Sequence, residues 1–233
     1  MDPQAASSQA ELETRDRARL RACVGVPGVL LVVTAGYAAT RYVVFGPWAL
    51  ADLPLYVFNK ATAWSALLLL ALALGLGPAA RIWPPLGGLL WRRRYWGVVG
   101  FVLATVHIVL SLSILNYGYY RLMFRQAFEF TALAGWSLLA GALAWMALVA
   151  PLAASLPGVR AAMSVRYWRV LQRVGLLGLS LTGLHLAYGV PGWWQPALWY
   201  GGLPPITLLS ACAVVLVLAL RLTVWVCGRR GAP

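Results

Sequence analysis

The feature that most constrains this chain is a run of 47 residues, 174–220, that contains no Lys, Arg, Asp or Glu. In soluble proteins about a quarter of all residues are charged, so charges recur at short intervals. Here 61% of the residues are apolar and only 11% are charged. Such a chain would expose large apolar surfaces in water, and the sequence therefore predicts helices that lie in a lipid bilayer.

Charged residues divide the apolar sequence into segments of about 20 residues, the length that a membrane-spanning helix needs. The run 174–220 is too long for one helix, and it is broken by Pro191, Gly192, Pro196, Pro204 and Pro205. The expected fold is an all-α integral membrane protein, a bundle of six transmembrane helices. These helices are predicted within residues 22–45, 61–80, 95–120, 130–159, 169–190 and 203–226.

Lys and Arg are distributed unequally between the two sides of such a bundle. Fifteen of the 19 fall on the side of the termini, and four fall on the other side: Arg41, Lys60, Arg121 and Arg125. Cytoplasmic loops retain positive residues, so this count predicts that both termini are cytoplasmic. The expected organisation is a polar cytoplasmic tail at 1–20, a transmembrane domain at 21–228 and a short cytoplasmic tail at 229–233.

The net charge of +13 would favour nucleic-acid binding in a soluble protein. In this chain the arginines lie between apolar runs, where membrane topology and anionic lipid headgroups explain them. We therefore expect the lipid bilayer as a partner and no nucleic acid.

The chain has two histidines, and both fall inside predicted helices. His107 lies 13 residues after Arg94, and His185 lies 12 residues after Arg173. At about 1.5 Å per residue, each histidine is about 18–20 Å from its arginine, so the two lie at one depth. An ionisable residue within a span marks a functional site by default. A hydrogen bond between helices is the structural alternative.

Each histidine is preceded by the pattern GxxGx6H, whose second glycine is Gly100 in the third helix and Gly178 in the fifth. Seven residues make about two turns, which places each glycine on the face of its histidine. Small residues there would let a flat ring approach closely, and Gly100 and Gly178 are expected to contact a cofactor. They would equally permit close packing of helices.

Two neutral imidazoles at equal depth can occupy both axial positions of one heme iron. Zinc usually takes four ligands, and a proton relay would add carboxylates within the spans. No CxxCH motif is present, which excludes a covalently attached c-type heme. The sequence thus predicts one heme b with His107 and His185 as iron ligands. Arg41 is expected to pair with a propionate, with Arg121 or Arg125 as alternates, or else to reach the bilayer surface.

The residues around both histidines resemble a known family. The run RRRYWG at residues 92–97, continuing to His107, is similar to the third-helix motif of ferric-reductase-like transmembrane domains. It is most similar to the heme-binding membrane subunit of the bacterial periplasmic methionine sulfoxide reductase system. The run YWRVLQR at residues 167–173, continuing to His185, resembles the fifth helix, and the resemblance extends over about residues 55–225.

The resemblance implies a b heme held between helices three and five of a six-helix bundle in a bacterial inner membrane. Electrons would come from a cytosolic flavin reductase, or from FMN or FAD bound at the cytoplasmic face near Arg169 and Arg173. The acceptor would be a periplasmic redox protein, a quinone or ferric iron. Gln172 stands where the bacterial subunit tends to have another histidine, so only one heme is expected.

Two other functions stay open at this point. One is a non-catalytic membrane protein, such as a transporter-like protein or an assembly factor, whose histidines only form hydrogen bonds. The other is a heme sensor or heme-handling protein without turnover.

Overall fold

The computed structural model describes residues 24–126 and 128–230, and its dominant elements are six long helices. They are α1 (Val24–Val44), α2 (Phe58–Ile82), α3 (Arg93–Ser113), α4 (Ala132–Ala153), α5 (Val165–His185) and α6 (Ile206–Arg230). Shorter helical segments are Leu50–Asp52, Leu53–Val57, Pro84–Arg92, Arg121–Met123, Pro157–Ala161, Leu186–Gly189, Val190–Trp193, Pro196–Leu198 and Tyr200–Gly202. For the described residues, the prediction of an all-α bundle with six helices long and apolar enough to cross a membrane is confirmed.

The six spans are long and apolar enough to cross a membrane, and their outward faces are apolar as well. Val109 and Trp136, for example, are 63% and 72% exposed. Contiguous apolar surfaces of this kind are covered by lipid or by a partner. Together with the lengths of the helices, they indicate a multi-pass membrane protein.

The end of α3 differs from the prediction, because the helix stops at Ser113 although the apolar sequence continues to residue 120. The chain turns there, and the side chain of Asn116 accepts a hydrogen bond from the backbone N–H of Tyr119 at 3.2 Å. A small antiparallel hairpin follows, β1 (Phe124–Gln126) and β2 (Glu129–Phe130). The aromatic residues of this loop continue the apolar run, so hydropathy alone did not predict the turn.

The helix α5 begins at Val165, four residues before the predicted start, because Ser164 caps it. The Ser164 hydroxyl accepts the N–H of Tyr167, which satisfies one of the free donors of the first turn. The α-helix ends at His185, and shorter helical turns carry the chain on to Trp193. The prolines and glycines of residues 191–205 thus break the long apolar run as predicted.

Pro78 lies inside α2 and explains one of two arginine contacts at one end of the bundle. Proline has no N–H, so the carbonyl of Leu74 lacks its helical donor. Arg221 of α6 donates to that carbonyl at 3.0 Å, and Nε of Arg93 in α3 donates to the carbonyl of Ala73 at 2.7 Å. These two arginines therefore hold α3 and α6 against α2, a structural role that the sequence did not reveal.

The packing of the bundle separates the two helices that carry histidines. The central helix is α2, which packs along α3 and α6, while α5 packs along α4. No close packing joins α3 to α5. We call the end that holds the connections α1–α2, α3–α4 and α5–α6 the hairpin end, and the opposite end the arginine end.

The predicted tails fall largely outside the described residues. Residues 1–20 and 231–233 are not described, and α6 continues to Arg230, so the tail predicted from residue 229 begins inside a helix. The cytoplasmic location of both termini stays a prediction.

Candidate metal and cofactor centre

A cavity of about 1030 Å³ lies within the bundle, between α3 and α5. This volume is at the upper end of the range of about 300–1,000 Å³ found for ligand and cofactor pockets. Most of its wall is apolar, and it includes Leu67, Leu70, Ala104, Ile108 and Leu148. His107 and His185 both line the cavity, so the structure brings the two histidines of the chain to one site.

His107 is held by a buried amide. Its Nδ1 lies 2.6 Å from Oδ1 of Asn59, a side chain of α2 that is fully buried. The amide nitrogen of Asn59 donates to the hydroxyls of Ser111 at 3.0 Å and Tyr120 at 2.8 Å. Both amide hydrogens are therefore used, and the amide oxygen faces the imidazole. With the amide oxygen in this position, Nδ1 of His107 donates to Asn59.

Tyr120 keeps this network in one protonation state. Burial raises the pKa of its phenol to about 12. At neutral pH the group is a neutral hydroxyl, which can accept a hydrogen bond from Asn59. The hydroxyl of Tyr120 therefore stays protonated across the physiological range.

His185 is held by the backbone of α4. Its Nδ1 lies 2.9 Å from the carbonyl oxygen of Ser137, which can only accept, so Nδ1 must donate. The hydroxyl of Ser137 in turn donates to the carbonyl of His185. The last residue of α5 is thus fixed to α4 by two hydrogen bonds.

The consequence is the same for both imidazoles. With hydrogen on Nδ1, each Nε2 keeps its lone pair, and neither Nε2 has a hydrogen-bond partner among the described residues. Metal-binding histidines have this arrangement, in which one ring nitrogen donates to a protein oxygen and the other binds the metal. Each imidazole could therefore bind a metal through its Nε2.

Gly141 gives His185 its space. A Cβ at this position of α4 would lie 2.7 Å from Nδ1 of His185, well inside contact distance. Gly141 also lines the cavity. A side chain here would push the imidazole away from the Ser137 carbonyl.

Gly100 and Gly178 are not among the residues that line the cavity, and a cofactor-binding role for them stays a prediction. A Cβ at Gly100 would meet Leu70 and the Ala66 carbonyl of α2 at 3.0 and 3.1 Å. A Cβ at Gly178 would meet Leu148 of α4 at 2.8 Å. Both glycines permit close packing of helices, because the face of a helix that carries a histidine also touches its neighbour.

Arg41 lines the cavity but is already hydrogen-bonded. Its guanidinium donates to the carbonyls of Leu198 and Leu203, which ties α1 to the connection between α5 and α6. The side chain is only 3% exposed, so it does not extend to the outer surface. Its buried Nε has no partner among the described residues. Pairing with a propionate through that nitrogen stays a prediction.

The two alternates for Arg41 differ in position. Arg121 lines the cavity, with its guanidinium 5.6 Å from the ring centre of Tyr117. Arg125 lies on the hairpin, where it pairs with Glu129 at 3.7 Å, and both side chains are largely exposed. Because it is absent from the cavity wall, Arg125 is not a suitable partner for a cavity ligand.

Sequence reasoning missed Asn59, Ser137, Gly141 and Lys60 as parts of the site. Asn59 and Lys60 were placed before a second helix predicted to start at residue 61, whereas α2 starts at Phe58. The sequence signal that could have identified Asn59 and Lys60 is an amide next to an ammonium at the edge of an apolar segment. Ser137 acts largely through its carbonyl, which any residue has, so its side chain carried little information.

At the arginine end lies Gln172, at the position where the resemblance described above predicts a further histidine. Its side-chain amide donates to the carbonyl of Pro151 in α4 at 3.4 Å. Among the described residues, no group of three or more His, Cys, Asp or Glu side chains could hold a metal ion. The described part of the chain contains one pair of histidines, and the number of hemes stays a prediction.

No protein-family model matches this chain, and no curated protein matches it. Membership of the ferric-reductase-like family stays a prediction that rests on the motifs around His107 and His185.

Proposed function

We propose that this chain is a transmembrane electron-transfer subunit that holds one heme b between α3 and α5. The observation that carries the proposal is the pair of imidazoles in one cavity, each with Nδ1 bound to a protein oxygen and Nε2 free. Structural histidines would be expected to use both nitrogens or to lie on packed helix faces. Here α3 and α5 do not pack closely on each other, and the cavity that both helices line offers space for a flat ring.

The rest of the cavity supports the same ligand. Its apolar walls suit a porphyrin, and the side chains of Arg41, Lys60 and Arg121 bring positive charge to its hairpin end. When bound, the heme supplies an iron that gains and loses one electron. The protein residues hold the ligand imidazoles in one orientation, exclude water and balance the propionate charge.

The two ends of the bundle suit different partners. By the Lys and Arg distribution, the arginine end faces the cytosol of a bacterial cell and the hairpin end faces the periplasm. Arg221 experiences the charges of Arg81, Arg93 and Arg173, so guanidinium groups of four helices gather at the arginine end. Guanidinium groups bind phosphates well, including those of FMN, FAD or NAD(P)H on a docked flavin reductase.

In the proposed reaction a reduced flavin loses electrons one at a time. A periplasmic redox protein, a quinone or ferric iron at the hairpin end gains each of these electrons. The chain belongs, on this proposal, to the inner membrane of a bacterium.

The test uses the purified full chain in sealed vesicles. A flavin reductase with NADH is added on the outside, and ferricyanide is trapped inside as the acceptor. We expect ferricyanide reduction that requires the chain and is lost in His107→Ala. For chains oriented with the arginine end outward, the rate should fall with salt, because exposed charges are screened within about 8–10 Å at physiological ionic strength.

The other outcomes separate the alternatives. Heme that is reduced without any reduction of trapped ferricyanide would indicate a sensor or heme-handling protein. A chain that contains no heme would indicate structural histidines and overturn the proposal.

A further inference from the structure

Lys60 places an ammonium group in the cavity, and none of the acidic residues that the structure describes is its partner. Its Nζ lies 4.4 Å from the ring centre of Tyr120 and 5.0 Å from that of Tyr56. The residue lines the cavity and directly follows Asn59, the amide that holds His107. Two aromatic faces attract the ammonium, yet they do not neutralise its charge.

The described part of the chain offers no carboxylate to Lys60. Its two acids are Asp52, which accepts hydrogen bonds from Tyr119 and the Ala49 N–H, and Glu129, which pairs with Arg125. Neither acid lines the cavity. A charge removed from water without a counter-ion is strongly unfavourable, and charges within membrane spans are normally paired. A carboxylate of the ligand can supply this anion.

A second cation lines the same cavity. Arg41 is buried, and its Nε has no hydrogen-bond partner among the described residues. Lys60 at the start of α2 and Arg41 at the end of α1 together provide positive charge for two carboxylates. Lys60 is the freer of the two, because two nitrogens of Arg41 already bind backbone carbonyls.

We infer that Lys60 binds a carboxylate of the cavity ligand, which on the proposed function is one propionate of the heme. The inference rests on that function and adds the orientation of the ring. The propionate edge faces Lys60 and Arg41, and the opposite, apolar edge faces the wall formed by Leu70 and Leu148. Lys60 is a positioning residue, since it acts on the carboxylate and not on the iron.

The experiment compares two probes, hemin and hemin dimethyl ester, in which both carboxylates are esterified. The full chain is purified from heme-deprived cells and titrated with each probe, and binding is read from the Soret band. The variants are Lys60→Gln, Lys60→Arg, which keeps the charge, and Arg125→Gln as the control. Arg125 is also a cation of the hairpin end, but it is exposed and paired with Glu129.

In the wild type we expect hemin to bind about tenfold or more tightly than its ester. A difference of this size in affinity corresponds to the loss of one charge-assisted hydrogen bond. Lys60→Gln should lose most of this preference while it binds the ester as the wild type does, which shows that the fold is intact. Lys60→Arg and Arg125→Gln should keep the preference.

An unchanged preference in Lys60→Gln, with tight hemin binding, would overturn this inference and leave the proposed function standing. A wild-type chain that binds neither probe would overturn both.

Discussion

At the scale of single residues, the site depends on which nitrogen of each imidazole carries the hydrogen. Asn59 decides this for His107, and the Ser137 carbonyl decides it for His185. The two acceptors differ in kind, since one is a side chain that mutation can remove and the other is backbone. The orientation of His107, a proposed iron ligand, can therefore be tested by removing its hydrogen-bond acceptor while the histidine itself is kept.

Asn59→Leu removes the acceptor from His107 and should weaken heme binding. Partners of this type typically change metal affinity by about 10–100-fold, because they orient the ring and raise its basicity. We expect that loss in hemin titrations of the full chain, together with a partly high-spin spectrum. Ser65→Ala is the matched control, a buried polar residue of α2 that bonds Thr34 instead of the site. Equal hemin affinity in both variants would show that Asn59 does not position His107.

Gly141→Ala places a methyl group 2.7 Å from the present position of Nδ1 of His185. The imidazole must move, which breaks its bond to the Ser137 carbonyl and displaces Nε2. We expect loss of the six-coordinate low-spin spectrum or a mixture of spin states. Gly135→Ala, on the same helix with nothing within 4 Å, should keep the wild-type spectrum. If both variants are spectrally normal, His185 does not occupy the orientation described.

At the scale of elements, the glycines of α3 and α5 act in packing. Gly178→Ala puts a Cβ 2.8 Å from Leu148, and overpacking of this kind destabilises by about 1–3 kcal/mol. Thermal unfolding of the purified chain should show this loss, with the heme bands unmoved. Gly36→Ala in α1, where the Cβ meets nothing, is the control. Shifted heme bands with normal stability would instead place Gly178 against the ligand.

Hydropathy predicted the number of helices correctly but not all of their ends. Apolar runs predict membrane helices because side chains that face lipid must be apolar. The residues at which a helix starts and ends depend instead on local hydrogen bonds. Ser164 starts α5 early through a cap, and Asn116 marks the turn after α3. The start of α2 is the most important of these differences. Asn59 and Lys60 lie inside the helix in the structure but before its predicted start at residue 61, so the sequence did not identify them as residues of the site.

At the scale of the whole molecule, the equal depth of His107 and His185 was enough to predict that they share a site. The separation of α3 from α5 was not predictable, because it follows from how α2 and α4 hold them. The neighbours of Gly100 and Gly178 were not predictable for the same reason. These glycines share a face with the histidines but pack against other helices. The spacing of residues along a helix predicts how deep each residue lies, but it does not predict which neighbouring helix that residue contacts.

The most direct test is the visible and EPR spectrum of the purified full chain, with heme content measured per chain. We predict about one low-spin, six-coordinate b heme, since two neutral imidazoles fill both axial positions. His107→Ala and His185→Ala should each lose the heme or become high-spin and five-coordinate, because the chain has no third histidine. A wild-type chain without heme, or a low-spin spectrum retained in both variants, would contradict the bis-histidine site.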